Sequence, residues 1–154
     1  MKFFYSVFLS AVTLFLIGLS SCGGGGGGNN NNNQQPEDPQ VVAKSKLTSS
    51  TWVLSLVTRD DQNVNSDFIG FTMTFTSTGY SVENGGTALP GTGSWAFDGT
   101  SSTTIKLDGN LSVAIEFTNN DNNLRLTFTI PETDYSLGRI QKLQGTYVFD
   151  LVKS

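Results

Sequence analysis

Between Thr103 and Ile130 the chain reads TTIKLDGNLSVAIEFTNNDNNLRLTFTI. Ile105 and Leu107 share one face before Asp108-Gly109, a dipeptide suited to the left-handed φ values of a tight hairpin turn. Leu111, Val113, Ile115 and Phe117 then alternate with Ser112, Ala114 and Glu116. The polar run Asn119–Asn123 turns the chain again, and Leu124, Leu126, Phe128 and Ile130 alternate with Arg125, Thr127 and Thr129. A period of two places the apolar side chains on one face of a strand and the polar ones on the other. Three consecutive antiparallel strands follow from this stretch, each with one apolar and one solvated face.

The same pattern extends in both directions. Upstream, Thr51 to Thr58 puts Trp52, Leu54 and Leu56 on one face. Phe71, Met73 and Phe75 are backed by Thr72, Thr74 and Thr76, and Ser77-Thr78-Gly79 turns the chain into a strand from Tyr80 to Glu83. Gly93 to Phe97 carries Trp95 and Phe97 together and stops at Asp98-Gly99. Downstream, Gly145 to Val152 aligns Tyr147, Phe149 and Leu151. No stretch shows a sustained helical apolar period with caps. Pro131 to Gln144 is irregular, and a turn of helix is expected within Tyr135 to Leu143. The result is an all-β domain of eight short strands. Consecutive hairpins favour an eight-stranded antiparallel up-and-down barrel, because closure removes exposed strand edges. A β-sandwich is the alternative.

Ahead of this domain, Lys2 precedes the apolar run Val7 to Leu19, which suits a signal peptide and is short for a membrane span. The run leads into Leu19-Ser20-Ser21-Cys22, which holds the single Cys of the 154 residues. This pattern resembles the lipobox of bacterial lipoproteins. The resemblance implies that residues 1–21 are a lipoprotein signal peptide and that Cys22 carries a diacylglyceryl group anchoring the chain to a membrane. The Asp that marks inner-membrane retention in that family is absent, since Gly23 follows the Cys. A Gram-negative outer membrane is the expected location, on either its periplasmic or its cell-surface face. Residues 22–42, with six glycines at Gly23–Gly28 and then Asn29 to Gln35, bury no apolar surface and read as a disordered tether. As a Gly-rich coil it reaches roughly 25 Å. The folded domain is expected over residues 43–154.

Within that domain, the early Trp of Leu47-Thr48-Ser49-Ser50-Thr51-Trp52-Val53-Leu54 resembles that of the lipocalin-like domains of bacterial lipoproteins. So do Phe71-Thr72-Met73-Thr74-Phe75 with the Gly79-Tyr80 turn, Gly93-Ser94-Trp95, and Ile105-Lys106-Leu107-Asp108-Gly109. The Gly-x-Trp motif of lipocalins stands here as Ser50-Thr51-Trp52, and Lys153 takes the place of the basic residue that packs on that Trp. The resemblance implies a small calyx for apolar ligands.

Composition narrows the chemistry. The 9 Lys+Arg and 13 Asp+Glu give a net charge of −4, and loss of Lys2 with the leader makes it −5. The acids are scattered and no basic stripe exists, so nucleic acid is not an expected partner. The chain has no His. Ser-His-Asp, Cys-His and His-based metal sites are therefore excluded, and neither an enzyme nor a cofactor is expected. Carboxylates that would form a catalytic pair are Asp60, Asp61 and Asp67, or Glu132 and Asp134, all in expected loops. Asp61 to Asp67 places oxygen ligands at alternate positions as a calcium loop begins. Ser66 and Thr72 stand where that loop needs Gly and Glu, so no metal site is expected, nor at the weaker Asn119–Asn123. The inward-facing Trp52, Phe71, Phe75, Trp95, Phe97, Phe117, Phe128 and Phe149 either pack a core or line a ligand cavity, with Trp52 as its floor. Tyr80, Tyr135 and Tyr147 are candidates for a barrel mouth. The expected function is a monomeric, membrane-anchored lipoprotein that binds a small apolar ligand. The alternative is an interaction lipoprotein with a filled barrel that binds protein or glycan through its loops.

Overall fold

The computed structural model of the protein describes residues 36–131 and 143–154. The expected signal peptide, Cys22, the glycine run, Glu132, Asp134, Tyr135 and all but Leu143 of the stretch in which a helical turn is expected lie outside the described residues. The strands are β1 (Thr51–Arg59), β2 (Gln62–Asn63), β3 (Thr72–Phe75), β4 (Gly79–Glu83), β5 (Thr92–Phe97), β6 (Thr104–Leu107), β7 (Leu111–Thr118), β8 (Asn123–Ile130) and β9 (Gly145–Lys153). Each pairs antiparallel with its neighbour in the order β2-β1-β3-β4-β5-β6-β7-β8-β9, and β1 also pairs with β9. That last ladder runs from Trp52 opposite Lys153 to Arg59 opposite Tyr147. It closes an eight-stranded up-and-down barrel, with the two-residue β2 folded back on the end of β1. A sandwich would leave these two strands unpaired.

Alternation explains most of the burial. β3, β4, β6, β7, β8 and β9 each bury every second side chain, as their apolar periods require. The first strand departs from expectation. Leu54 faces Leu151 and Leu56 faces Asp150, so Ser55 is an extra residue with no partner on β9. This bulge reverses the phase of the strand. Trp52 and Leu54 turn inward before it, and Val57 rather than Leu56 turns inward after it, fully buried opposite Phe149.

The β6–β7 turn holds Asp108 at φ 50° and Gly109 at φ 73°, as the dipeptide predicts. The Asp108 carboxylate accepts from the Ser94 amide at 2.7 Å and from the Tyr80 hydroxyl at 2.7 Å, joining three strands. A β-carbon at Gly93 would collide with that carboxylate, which is why the strand opposite Tyr80 carries glycine there. The Ser94 amide, then the Tyr80 hydroxyl, hold the Asp108 carboxyl below the usual carboxylate range. Burial, and then the bond to Asp108, push the Tyr80 hydroxyl well above its ordinary value.

One end of the barrel is covered by α1 (Pro39–Leu47), which corrects two expectations. Residues 39–42 are helical rather than part of a disordered tether, and a capped helix exists. Asp38 caps it by accepting from the Gln40 amide at 2.8 Å, Pro39 opens the first turn, and Lys44 and Lys46 lie in the last. Only Ala43 and Leu47 are buried, a stripe one turn long that no periodicity count detects. The Leu47 carbonyl accepts from the indole nitrogen of Trp52 at 2.9 Å. Gln40 donates to the carbonyls of Gly99 and Ser101, and Lys46 pairs with Asp121 at 2.9 Å. Lys153 lies 5.6 Å from the Trp52 ring centroid, the packing expected of it.

Asp108→Asn tests the strand pin by its pH dependence. A carboxyl held low in the fold stabilises it above the ordinary carboxylate range, and that contribution is lost as pH falls through the lowered value. Urea midpoints measured from pH 6 down to pH 2, a range set by ordinary carboxylate values, should fall more steeply for the wild type than for the variant. Parallel curves would mean that Asp108 adds no acid-sensitive stability.

Candidate binding site at the barrel mouth

The rings expected to pack a core or line a calyx occupy the barrel interior. Trp52, Phe71, Phe75, Trp95, Phe128 and Phe149 are buried, and Phe97 and Phe117 are half-buried against them. They meet one another. Phe128 stacks on Phe149 at 5.7 Å and on Tyr147 at 5.4 Å, and Phe71 lies 5.1 Å from Phe149. Toward the helix-covered end, Trp95 meets Phe75 at 5.8 Å and Phe97 at 5.4 Å edge to face, and Trp52 lies 6.2 Å from Phe117. Edge-to-face and offset pairs at these separations are favourable beyond the area they bury. Trp52 forms the floor, sealed from outside by Leu47. Tyr80 and Tyr147 are both buried, Tyr80 in the core and Tyr147 where it lines a cavity at the barrel mouth.

The opposite end is plugged by a residue that alternation did not reveal. The 3₁₀ turn Asn65–Phe68 points Phe68 into the barrel, where only 4% of it stays exposed. Its ring meets Phe149 edge-on at 5.0 Å, with Tyr147 and Phe71 at 6.4 and 6.5 Å. The turn is held by a side chain acting as a strand. β1 pairs with β3 only over Thr51–Val53 and with β2 only at Thr58 and Arg59. Between them, Asn65 Oδ1 accepts from the Val57 amide at 2.6 Å, and Asn65 Nδ2 lies 3.5 Å from the Ser55 carbonyl. The carboxamide thus serves backbone groups on the edge of β1 that the β3 ladder, ending at Val53, does not reach.

Around this plug lie two cavities. The larger, about 450 Å³, is lined by Arg59, Val64, Asp67, Phe68, Gly86, Thr87, Ala88, Leu143 and Tyr147. The smaller, about 260 Å³, follows the β1–β3 seam past Val53, Leu54, Asn65, Phe68, Ile69, Gly70 and Phe71. A third, about 290 Å³, lies under α1 beside Lys44, Trp95 and Phe97. Of the aromatic candidates, Phe71, Trp95 and Phe97 therefore border open space in these three, while Phe68 and Tyr147 form the apolar floor of the mouth.

The carboxylate candidates separate. Asp60 accepts from the Thr146 amide at 2.9 Å and ties the β1–β2 turn to β9, with Asp60 and Asp61 at φ values of 50° and 62°. Asp67 lines the mouth cavity together with Arg59. Two side chains of the calcium-like stretch are turned to the chain itself: Asn63 accepts from the Asn65 amide, and Asn65 from the Val57 amide.

Asn65→Ala should leave the Val57 amide without its partner, a loss of about 1–3 kcal/mol. A lower urea midpoint, with faster hydrogen exchange at Val57 than at β8, would report it. Unchanged exchange at Val57 would show that water or backbone replaces the side chain.

Comparison of the chain with protein-family models, with curated proteins and with solved structures finds no match in any of the three.

Proposed function

We propose that the chain is a lipid-anchored lipoprotein of an outer membrane that binds a small apolar ligand, held at the mouth of the barrel rather than in its depth. The anchor rests on Leu19-Ser20-Ser21-Cys22 behind an apolar leader. The place of binding rests on one observation, the roughly 450 Å³ mouth cavity floored by Phe68 and Tyr147 above an interior filled with rings. Its volume falls within the range of small-molecule pockets, about 300–1,000 Å³. Val64, Ala88 and Leu143 add apolar wall, and Arg59, Asp67 and Thr87 supply polar atoms that fix orientation. Because the rings below already meet one another, a ligand gains apolar burial there without displacing the core.

The filled interior also favours a second reading, in which the loops contact protein or glycan and the cavity is incidental. Native mass spectrometry of the protein extracted from its own membrane in mild detergent separates the two. A co-purifying small molecule in the wild type, lost in Thr87→Trp, is the expected result. Thr87 is exposed, so the new ring fills the mouth without entering the core. A bare mass in both proteins would overturn ligand binding and favour the loops. The same spectra should carry a diacylglyceryl mass on Cys22, absent in Cys22→Ala.

A further inference from the structure

The cavity under α1 is bounded by three segments far apart in sequence: the helix at Gln40 and Lys44, the β3–β4 turn at Ser77 and Thr78, and β5 at Trp95 and Phe97. Its walls are held by bonds that do not involve Lys44 or the two turn hydroxyls. Gln40 donates to the carbonyls of Gly99 and Ser101, each at 2.9 Å. The Trp95 amide donates to the Thr78 carbonyl, and its indole nitrogen to the Thr76 carbonyl, both at 2.9 Å. Walls fixed in advance lower the entropic cost of binding. Lys46, Lys106 and Arg125 each meet a carboxylate. Among the described residues Lys44 meets none, and its ammonium lies 6.0 Å from the centroid of the Trp95 ring. The exposed hydroxyls of Ser77 and Thr78 likewise bond to no other described residue, and Phe97 is half-buried.

From these groups we infer that this cavity is a binding site for an acidic sugar, a single pyranose ring carrying a carboxylate. The carboxylate accepts a charge-assisted hydrogen bond from Lys44. The ring hydroxyls meet Ser77 and Thr78, whose own hydroxyls both donate and accept. The C–H face of the sugar packs against Phe97. At about 290 Å³ the cavity lies at the low end of small-molecule pockets, about 300–1,000 Å³, which suits one ring rather than a chain. An ion pair at a lysine that solvent reaches contributes little by itself, so a bare carboxylate is not held there. A neutral sugar makes no use of the Lys44 charge. A flat aromatic base finds no open face on Trp95, which is 6% exposed, meets Phe75 and Phe97 edge to face, and has Lys44 over its ring. The site is separate from the mouth and stands whether or not the mouth holds an apolar ligand.

Titration of the isotope-labelled full-length protein in detergent micelles with methyl glucuronoside, followed by amide and indole NMR, tests this. The chain has two tryptophans. The indole signal of Trp95, with the amides of Ser77, Thr78 and Gly99, should shift saturably, while that of Trp52, sealed beneath Leu47, should not. Methyl glucoside should bind roughly fivefold more weakly, the upper end of what one solvent-reached ion pair contributes. Lys44→Gln should weaken the glucuronoside to the same degree, and Thr78→Glu, at an exposed turn, should weaken it at least as much by repulsion. No saturable shift at these positions would overturn the site. Equal affinity for the neutral glucoside would overturn the acidic class, and equal affinity for acetate would overturn the sugar. Shifts confined to Gly86–Ala88 would place the acid at the mouth and overturn the assignment to this cavity.

Discussion

The structure depends on β1 serving two neighbours at once. Along its whole length it closes the barrel against β9, while its opposite edge meets β3 only at Thr51–Val53 and β2 only at Thr58 and Arg59. Without the β9 ladder, two long strand edges would be left open, an unstable and association-prone state for a sheet. With it, every barrel strand has two partners, and the inner face becomes one continuous apolar core. The bulge at Ser55 is the accommodation that lets β1 do both. It bends the strand and brings Val57 inward opposite Phe149.

Two consequences follow for function. The interior is committed to packing, since rings contributed by β1, β3, β5, β7, β8 and β9 meet one another across it. Open space is therefore displaced to the places where the strand pattern is interrupted. One is the mouth, where Phe68 enters from a connecting segment. Another is the seam, where a side chain stands in for a strand. Both exist because β1 and β3 part company after three residue pairs. The helix-covered end is sealed differently, by Leu47 set on Trp52 and by polar contacts from Gln40 and Lys46 to neighbouring turns.

Much of the barrel was legible from residues alone because its strands obey a two-residue period. Asp108-Gly109 announced its turn for the same kind of local reason: left-handed φ values select such residues. Lys153 on Trp52 was legible through resemblance. Phe68 was hidden because one large ring among Asn, Ser and Asp carries no period. α1 was hidden because its buried stripe is only Ala43 and Leu47. Leu56 was misplaced because alternation, counted through a bulge, continues on the wrong face.

Local chemistry in the chain was thus sufficient to set the strands, their turns, their inward faces and the all-β class, since each depends on neighbours within a few residues. Folding had to settle which strands meet at closure, where β1 slips by one residue, that the rings consume the interior, and that Phe68 and Asn65 build the mouth. Those outcomes depend on contacts between residues far apart in sequence, such as Val57 with Phe149, and on whether their combined volumes fill the space the closed sheet encloses.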